Sequence, residues 1–285
     1  MTEHVRADTE ALVIRGADGA GASGVVVGAA TDVGRLRTVN EDGYLAIAPA
    51  FVVVDGMGGH AAGRMATQVA LDSLYSLAGT TVTGVETVVR SVMAAQEAIV
   101  AIPSHAAYLP GATIAGVVLA WMEDEQGVTR PTWIIFNIGD ARVYLLRDDM
   151  LSQVTRDHSR VQILIETGEL TPEQARRDPR RNVVTRALGG GIADSAVPDL
   201  YSVPVAAGDR LLVCSDGLSD ELDDEAIATV LAAGYTAQRT AELLVAASLE
   251  GGGHDNTTAV VVDSAETPAL APAVVPGDAS TQEAL

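Results

Sequence analysis

Aspartates close or open four of the apolar runs in this chain: FVVV-Asp55-Gly56, WIIFNIG-Asp140, RLLVCS-Asp216-Gly217, and His254-Asp255-Asn256 leading into TTAVVVD. A carboxylate at the end of a core strand is costly to bury, and several at one sheet edge repel one another, so such a set needs a shared neutraliser. Divalent cations supply it, because Mg²⁺ and Mn²⁺ prefer hard oxygen ligands. Any single Asp-Gly is an ordinary turn signal. The repetition is what points to a metal centre. The glycines of Gly56-Met57-Gly58-Gly59 let backbone come close, and the carbonyl beside Asp55 offers a further oxygen ligand. Arg37 precedes the acidic pair Glu41-Asp42. It reads either as a surface arginine paired with one of them or as a guanidinium that grips a phosphate dianion through parallel hydrogen bonds.

Other chemistries fit less well. Gly56-x-Gly58-x-x-Ala61 follows a strand and opens a helix like a dinucleotide loop. Asp55, however, would repel a pyrophosphate, and no strand ending in an acid follows at the distance that fold requires. Ser215 lacks the G-x-S-x-G elbow of serine hydrolases. The five histidines form no H-E-x-x-H pair, which argues against a zinc protease. A single cysteine, Cys214, sits in an apolar run, which excludes a disulfide framework and a cysteine-based zinc site. A formal net charge of −20 disfavours nucleic acid or an anionic membrane as a standing partner.

The runs that carry these aspartates are short and rich in β-branched residues. GVVVGAAT, GYLAIA, AFVVVD, GATIAGVVLAW, TWIIFNIG, ARVYLLRD, DRLLVCSD and NTTAVVVD read as strands. Helical spacing marks AGRMATQVALDSLYSLA, VETVVRSVMAAQEAIVAI, HSRVQILIETGEL, EAIATVLAAG and AQRTAELLVAASLE. Strands and helices alternate in groups rather than one by one, which predicts an α+β fold of antiparallel sheets with helices packed outside. Thr132–Ile138 and Ala141–Arg147 are too closely spaced for a parallel crossover and are expected to pair as a hairpin. One catalytic domain is expected over 25–263. Residues 1–24 read as a loose extension, and 264–285 as a Pro/Ala-rich disordered tail. The N-terminus lacks the features of a signal peptide, and the longest apolar stretches are too short to span a bilayer, so a soluble cytoplasmic protein is expected.

The motifs in their order resemble the PP2C-type (PPM) metal-dependent protein phosphatases. They are Arg37-x-x-Asn40-Glu41-Asp42, Asp55-Gly56-Met57-Gly58-Gly59-His60, Gly111-Ala112-Thr113 and Asn137-x-Gly139-Asp140-x-Arg142. Thr155-x-Asp157-His158-Ser159, Asn182 to Gly189, Ser215-Asp216-Gly217-Leu218-x-Asp220 and Asp255-Asn256-x-Thr258 complete the set, and the insert between His158 and Asn182 is similar to the bacterial branch. The resemblance implies an αββα sandwich of two antiparallel β-sheets flanked by helix pairs, with a metal centre in the cleft at one edge. Asp55 would bridge two Mn²⁺ or Mg²⁺ ions, the Gly56 carbonyl would bind one, and Asp216 and Asp255 the other. Asp140 with Asp216 would hold a third, weaker ion. Glu41, Asp42, Asp220 and Asn256 would orient these ligands or act through water, and Arg37 would receive the phosphate. Met57 stands where animal relatives carry a histidine proposed to protonate the leaving alkoxide, so the proton donor is unassigned. Ala112, Ala141 and Arg64 also depart from the usual pattern.

The activity implied is hydrolysis of phosphoserine and phosphothreonine monoesters on proteins, reversing a Ser/Thr kinase, by a monomer with no nucleic-acid or membrane partner. The alternative is a pseudophosphatase that binds phosphoproteins without turnover, which the complete aspartate set disfavours. A metal-dependent nuclease uses similar ions but conflicts with the acidic surface. The polar insert over about 159–181, with a helix start at Thr171-Pro172-Glu173, reads either as a surface excursion or, as the resemblance implies by placing it beside the cleft, as a flap that gates substrate entry.

Overall fold

A strand sends successive side chains to opposite faces, and in this fold both faces of the central strands are covered. Phe51 and Val53 enter one buried cluster with Trp133, Val143, Val213 and Val260, while Val52 and Val54 enter another with Leu71, Val92 and Ile134. This double burial is why the strands read as continuous apolar runs instead of alternating ones.

The computed structural model describes residues 24–103, 109–192 and 197–264, with the backbone of 12–15. In chain order the first elements are β1 (Leu12–Arg15), β2 (Val25–Asp32), β3 (Asp42–Ile47), β4 (Ala50–Met57), α1 (His60–Leu74), α2 (Val85–Val100), β5 (Gly111–Glu123) and β6 (Thr129–Ile138). Then come β7 (Arg142–Arg147), β8 (Met150–Gln153), α3 (Arg160–Glu166), α4 (Pro172–Ala175), β9 (Leu188–Gly189) and β10 (Asp199–Pro204). The chain closes with β11 (Arg210–Cys214), α5 (Asp216–Ser219), α6 (Asp224–Leu231), α7 (Ala237–Gly251) and β12 (Thr257–Ser264).

One sheet runs β1-β3-β4-β5-β6-β10, with β9 paired to β5, and the other runs β2-β12-β11-β7-β8. Their pairings are antiparallel except for β1, which lies parallel to β3. Residues from both sheets fill the layer between them. Helices α1 and α2 cover the outer face of the first sheet. Helices α6 and α7 cover the second, packing Ile227, Leu231 and Leu244 on Leu212, Cys214 and Val261. The result is the four-layer αββα sandwich.

One pairing differs from expectation. Strands β6 and β7 do not form a hairpin: β6 pairs with β5 and β10, whereas β7 pairs with β11 and β8. Both strands are buried on two faces, so each gains more from a central place in its own sheet than from pairing with the other. The chain therefore crosses between sheets at Gly139-Asp140-Ala141. Gly139 makes the turn at φ 107°, and a Cβ there would lie 2.4 Å from the Cβ of Thr113. This crossing carries Asp140 to the edge of the sandwich.

Strands β8 and β10 fall on MLSQ and DLYSVP, edge segments of mixed exposure that lack a strong apolar signal. Within the stretch read as a loose extension, Leu12–Arg15 is strand, its aliphatic LVIR run adding to the edge of β3. The rest of that extension, apart from Gly24, and the tail beyond Ser264 lie outside the described residues. In the insert, Thr171 caps α4 through a reciprocal capping box with Gln174, and Pro172 occupies the first turn, as the Thr-Pro-Glu signal predicts.

Candidate active site

The strand ends deliver the aspartates to one edge. Asp42 opens β3 directly opposite Asp55 near the end of β4, and Thr113 of β5 pairs with Asp55 on its other side. Asp216 follows β11 as the first residue of α5. Asp255 and Asn256 immediately precede β12, and β12 is tied to the Asp216 segment where the Ser215 N–H donates to the Thr258 carbonyl at 3.2 Å. Arg37, Glu41 and Gly56 join the same edge through the contacts below, and Asp220 caps the end of α5.

Asp42 bridges the two sheets. Its Oδ2 accepts from Ser215 Oγ at 2.8 Å and Thr258 Oγ1 at 2.7 Å, while its Oδ1 is buried with no donor directed at it. The carboxyl groups of Asp42 and Asp55 lie within hydrogen-bond reach, a bond they can form only if one of them carries a proton. Burial pushes the Asp42 pKa up to about 6 although the two hydroxyls pull it down. Burial and then the Asp157 charge push Asp140 up to about 7. Asp55 is raised well above the usual carboxylate range by burial and then by the charges of Asp42, Asp216, Asp255 and Asp140. Asp216 is raised in the same way, by burial followed by Asp140, Asp220, Asp255 and Asp42. These carboxylates therefore lie within one another's fields. Asp220 is also raised by burial, against the pull of Arg142, Arg181 and Arg176.

Glu41 and Gly56 meet through backbone: the Gly56 N–H donates to the Glu41 carbonyl at 3.2 Å, and Thr67 Oγ1 donates to the same oxygen at 2.6 Å. A Cβ on Gly56 would stand 2.4 Å from the Gly63 carbonyl, and one on Gly63 would stand 2.3 Å from Glu41 Oε1, so α1 approaches β4 this closely only through glycine. Asn256 fixes the loop that bears Arg37. Its Oδ1 accepts the Glu41 N–H at 2.8 Å, and its Nδ2 donates to the carbonyls of Val33 at 2.9 Å and Val39 at 3.0 Å.

Arg37 Nη2 donates to Asp255 Oδ2 at 2.6 Å. Burial works to lower the Arg37 pKa, but the charge and hydrogen bond of Asp255, with Glu41 and Asp55 behind, hold it above its ordinary value. Among the described residues no three His, Cys, Asp or Glu side chains are gathered as a ready-made cage for an ion, and Asp255 is turned to Arg37. The donor set nonetheless suits a divalent cation: buried, mutually repelling carboxylates, an Asp42 oxygen without a donor, and a glycine carbonyl beside Asp55. Asp140 and Asp216 line a cleft of about 730 Å³ that Arg176, Arg177 and Arg181 of the insert also line. Arg176 donates to the carbonyls of Ser219 and Asp220, each at 3.1 Å, which fastens the insert to the segment that holds Asp216.

The profile of the family described as Protein phosphatase 2C matches residues 35–251. The chain belongs to the protein phosphatase 2C family. Serine/threonine protein phosphatase PstP of Mycobacterium tuberculosis is 38% identical over 240 residues, covering 82% of this chain and 44% of that protein. The chain thus spans less than half the length of PstP. Serine/threonine phosphatase stp of Listeria innocua is 34% identical over 244 residues, covering 82% of this chain and 93% of that protein. The crystal structure of the PstP catalytic domain in complex with two manganese ions superposes with a TM-score of 0.72 at 36% identity, covering 84% of this chain and 97% of that one.

The motifs of a protein phosphatase 2C chain point to the acids but not to everything that holds them. Ser215 and Thr258 stand inside the motif strings, yet their joint grip on Asp42 depends on two sheets meeting and cannot be read from spacing. Half-buried Arg142 pairs with buried Asp157 at 2.6 Å, and the charges of both act on Asp140, a pair whose only sequence sign is its place in two separate motifs. The Met57 methyl packs against Gly111 and Gly190, so that position serves packing.

Proposed function

We propose that this chain hydrolyses phosphoserine and phosphothreonine monoesters on proteins with Mn²⁺ or Mg²⁺. The observation that carries this reading is the gathering of four carboxylates at one edge, buried Asp42 and Asp140 with half-buried Asp55 and Asp216, each raised by desolvation and by its neighbours. Nearby positive charge relieves the mutual repulsion of such a set in its ionised form. In this reading Asp55, the Gly56 carbonyl, Asp216 and Asp255 would hold two ions, and Asp140 with Asp216 would hold a weaker third. Bound there, divalent cations supply an activated water and offset charge on the phosphoryl oxygens. The chain's own residues do the rest. Asn256 and Glu41 keep the Arg37 loop in place, Asp42 and Asp220 orient the ligands beside them, and Arg37 aligns the phosphate through its fork of donors.

The reading extends to phosphoproteins that a Ser/Thr kinase has modified and to a monomer working in the cytoplasm. Among the described residues no helix is long and apolar enough to cross a membrane, which is compatible with that placement. A phosphothreonine peptide and a phosphodiester, each offered with Mn²⁺, test the assignment. Turnover of the peptide alone is expected; turnover of neither would favour a pseudophosphatase, and of the diester a nuclease. Arg37→Ala is expected to raise KM for the peptide about tenfold or more, the scale of one charge-assisted hydrogen bond of about 1.5–3 kcal/mol. Steady-state kinetics with unchanged KM and kcat/KM would remove Arg37 from the phosphate site.

A further inference from the structure

The insert and Asp140 are joined through one imidazole. His158 is buried, and its backbone N–H donates to the Gly139 carbonyl at 2.8 Å. The Gly139 N–H donates in return to His158 Nδ1 at 3.0 Å. A backbone N–H can only donate, so Nδ1 carries the lone pair and the ring proton sits on Nε2. Nε2 lies 3.1 Å from Asp199 Oδ2, to which it donates. Arg186 Nη1 donates to Oδ1 of the same carboxylate at 2.6 Å and stands 2.9 Å from Nε2, so two donors meet there and Asp199 accepts from both. The His158 carbonyl accepts the Thr185 N–H at 2.7 Å, at the point where the insert returns to the fold. Both backbone groups of Gly139 are thus taken by one residue, Gly139 is held at φ 107°, and the next residue is Asp140.

We propose that His158 is a positioning residue for Asp140. By gripping Gly139 at both its N–H and its carbonyl, it sets the direction in which the Asp140 carboxylate meets a cation shared with Asp216. The inference rests on the reading of Asp140 as a cation ligand. Asp199 serves it indirectly by fixing the ring and its tautomer, and Arg186 by holding Asp199 in place. Asp55 is held by its own sheet register with Asp42 and Thr113, so the positions built on Asp55 are independent of His158.

Two substitutions separate the grip on Gly139 from the contact with Asp199. In His158→Asn the amide oxygen stands near the place of Nδ1 and can accept the Gly139 N–H. In His158→Gln the amide stands near Nε2 and reaches only Asp199. Mn²⁺ binding to the full chain, followed by the loss of the free-ion electron paramagnetic resonance signal, is the readout, with Asp140→Asn as reference. The wild-type isotherm is expected to show a weaker component that Asp140→Asn lacks. His158→Ala and His158→Gln are expected to weaken that component about 10–100-fold, the range for residues that orient a ligand, and to leave the tight component unchanged, while His158→Asn stays close to wild type. A folded His158→Ala with the wild-type isotherm would overturn the proposal. Should the alanine variant not fold, identical isotherms for the Asn and Gln variants would overturn it equally. An Asp140→Asn isotherm matching wild type would instead overturn the reading of Asp140, and the role of His158 with it.

Discussion

Asp216→Asn is expected to lower kcat on a phosphothreonine peptide by about a thousandfold or more while leaving the fold intact. Asp216 is the one carboxylate whose pKa is raised by Asp140, Asp220, Asp255 and Asp42 together, which places it between the two halves of the site. Asparagine keeps the size and one oxygen but carries no charge, so cations on either side of it lose a shared ligand. Charge stabilisation by a catalytic metal is worth several kcal/mol, and each tenfold in rate corresponds to about 1.4 kcal/mol. The same change removes a half-buried carboxylate repelled by its neighbours, so in the presence of a chelator the variant should melt at or above the wild-type temperature. The two effects have opposite signs, and that opposition excludes simple unfolding as the cause of lost turnover. Wild-type kcat at saturating Mn²⁺ would remove Asp216 from the cation site.

What the sequence made legible here were the places where apolar runs stop. Asp55, Asp216 and Asp255 sit next to strands whose both faces are apolar, so their strand ends stood out, and the residues around them fell into ordered motifs. The connection from β6 to β7 was not legible in the same way. Two apolar runs separated by Gly139-Asp140-Ala141 look alike whether they share a sheet or face each other across the sandwich; the choice is made by what each run packs against, which spacing does not encode. Edge strands β8 and β10 escaped because they bury little. The side chains that serve the acids were hidden for a related reason. Ser215 and Thr258 reach Asp42 from the opposite sheet, and Asn256 reaches Glu41 across 215 positions of sequence, so their partners emerge only once the layers are stacked. The pairing of Arg37 with Asp255 falls outside both local readings of Arg37, since neither a partner at Glu41 or Asp42 nor a free phosphate fork anticipates an acid 218 residues away.

Removing divalent cations is expected to abolish turnover and to make stability fall as pH rises. In the metal-free native chain Asp42 holds its proton up to about 6 and Asp140 up to about 7, and Asp55 and Asp216 are raised further in the same direction. In the unfolded chain an aspartate ionises near about pH 3.9. Above that value the native state binds more protons than the unfolded state, so each step up in pH costs native stability until the raised groups have ionised. The penalty is absent below about pH 4 and grows through the interval to about pH 7. Cations reverse it, because they bind the ionised carboxylates and displace the remaining protons, so their affinity rises with pH. At a hundredfold excess over its dissociation constant, Mn²⁺ contributes about 2.7 kcal/mol, or roughly 5–10 °C in melting temperature for a domain of this size. Melting curves with chelator and with Mn²⁺, taken at pH 5 and pH 7.5, should therefore diverge at the higher pH and nearly coincide at the lower. An equal Mn²⁺ increment at both values, or phosphopeptide turnover that survives exhaustive chelation, would show that these aspartates do not share a cation.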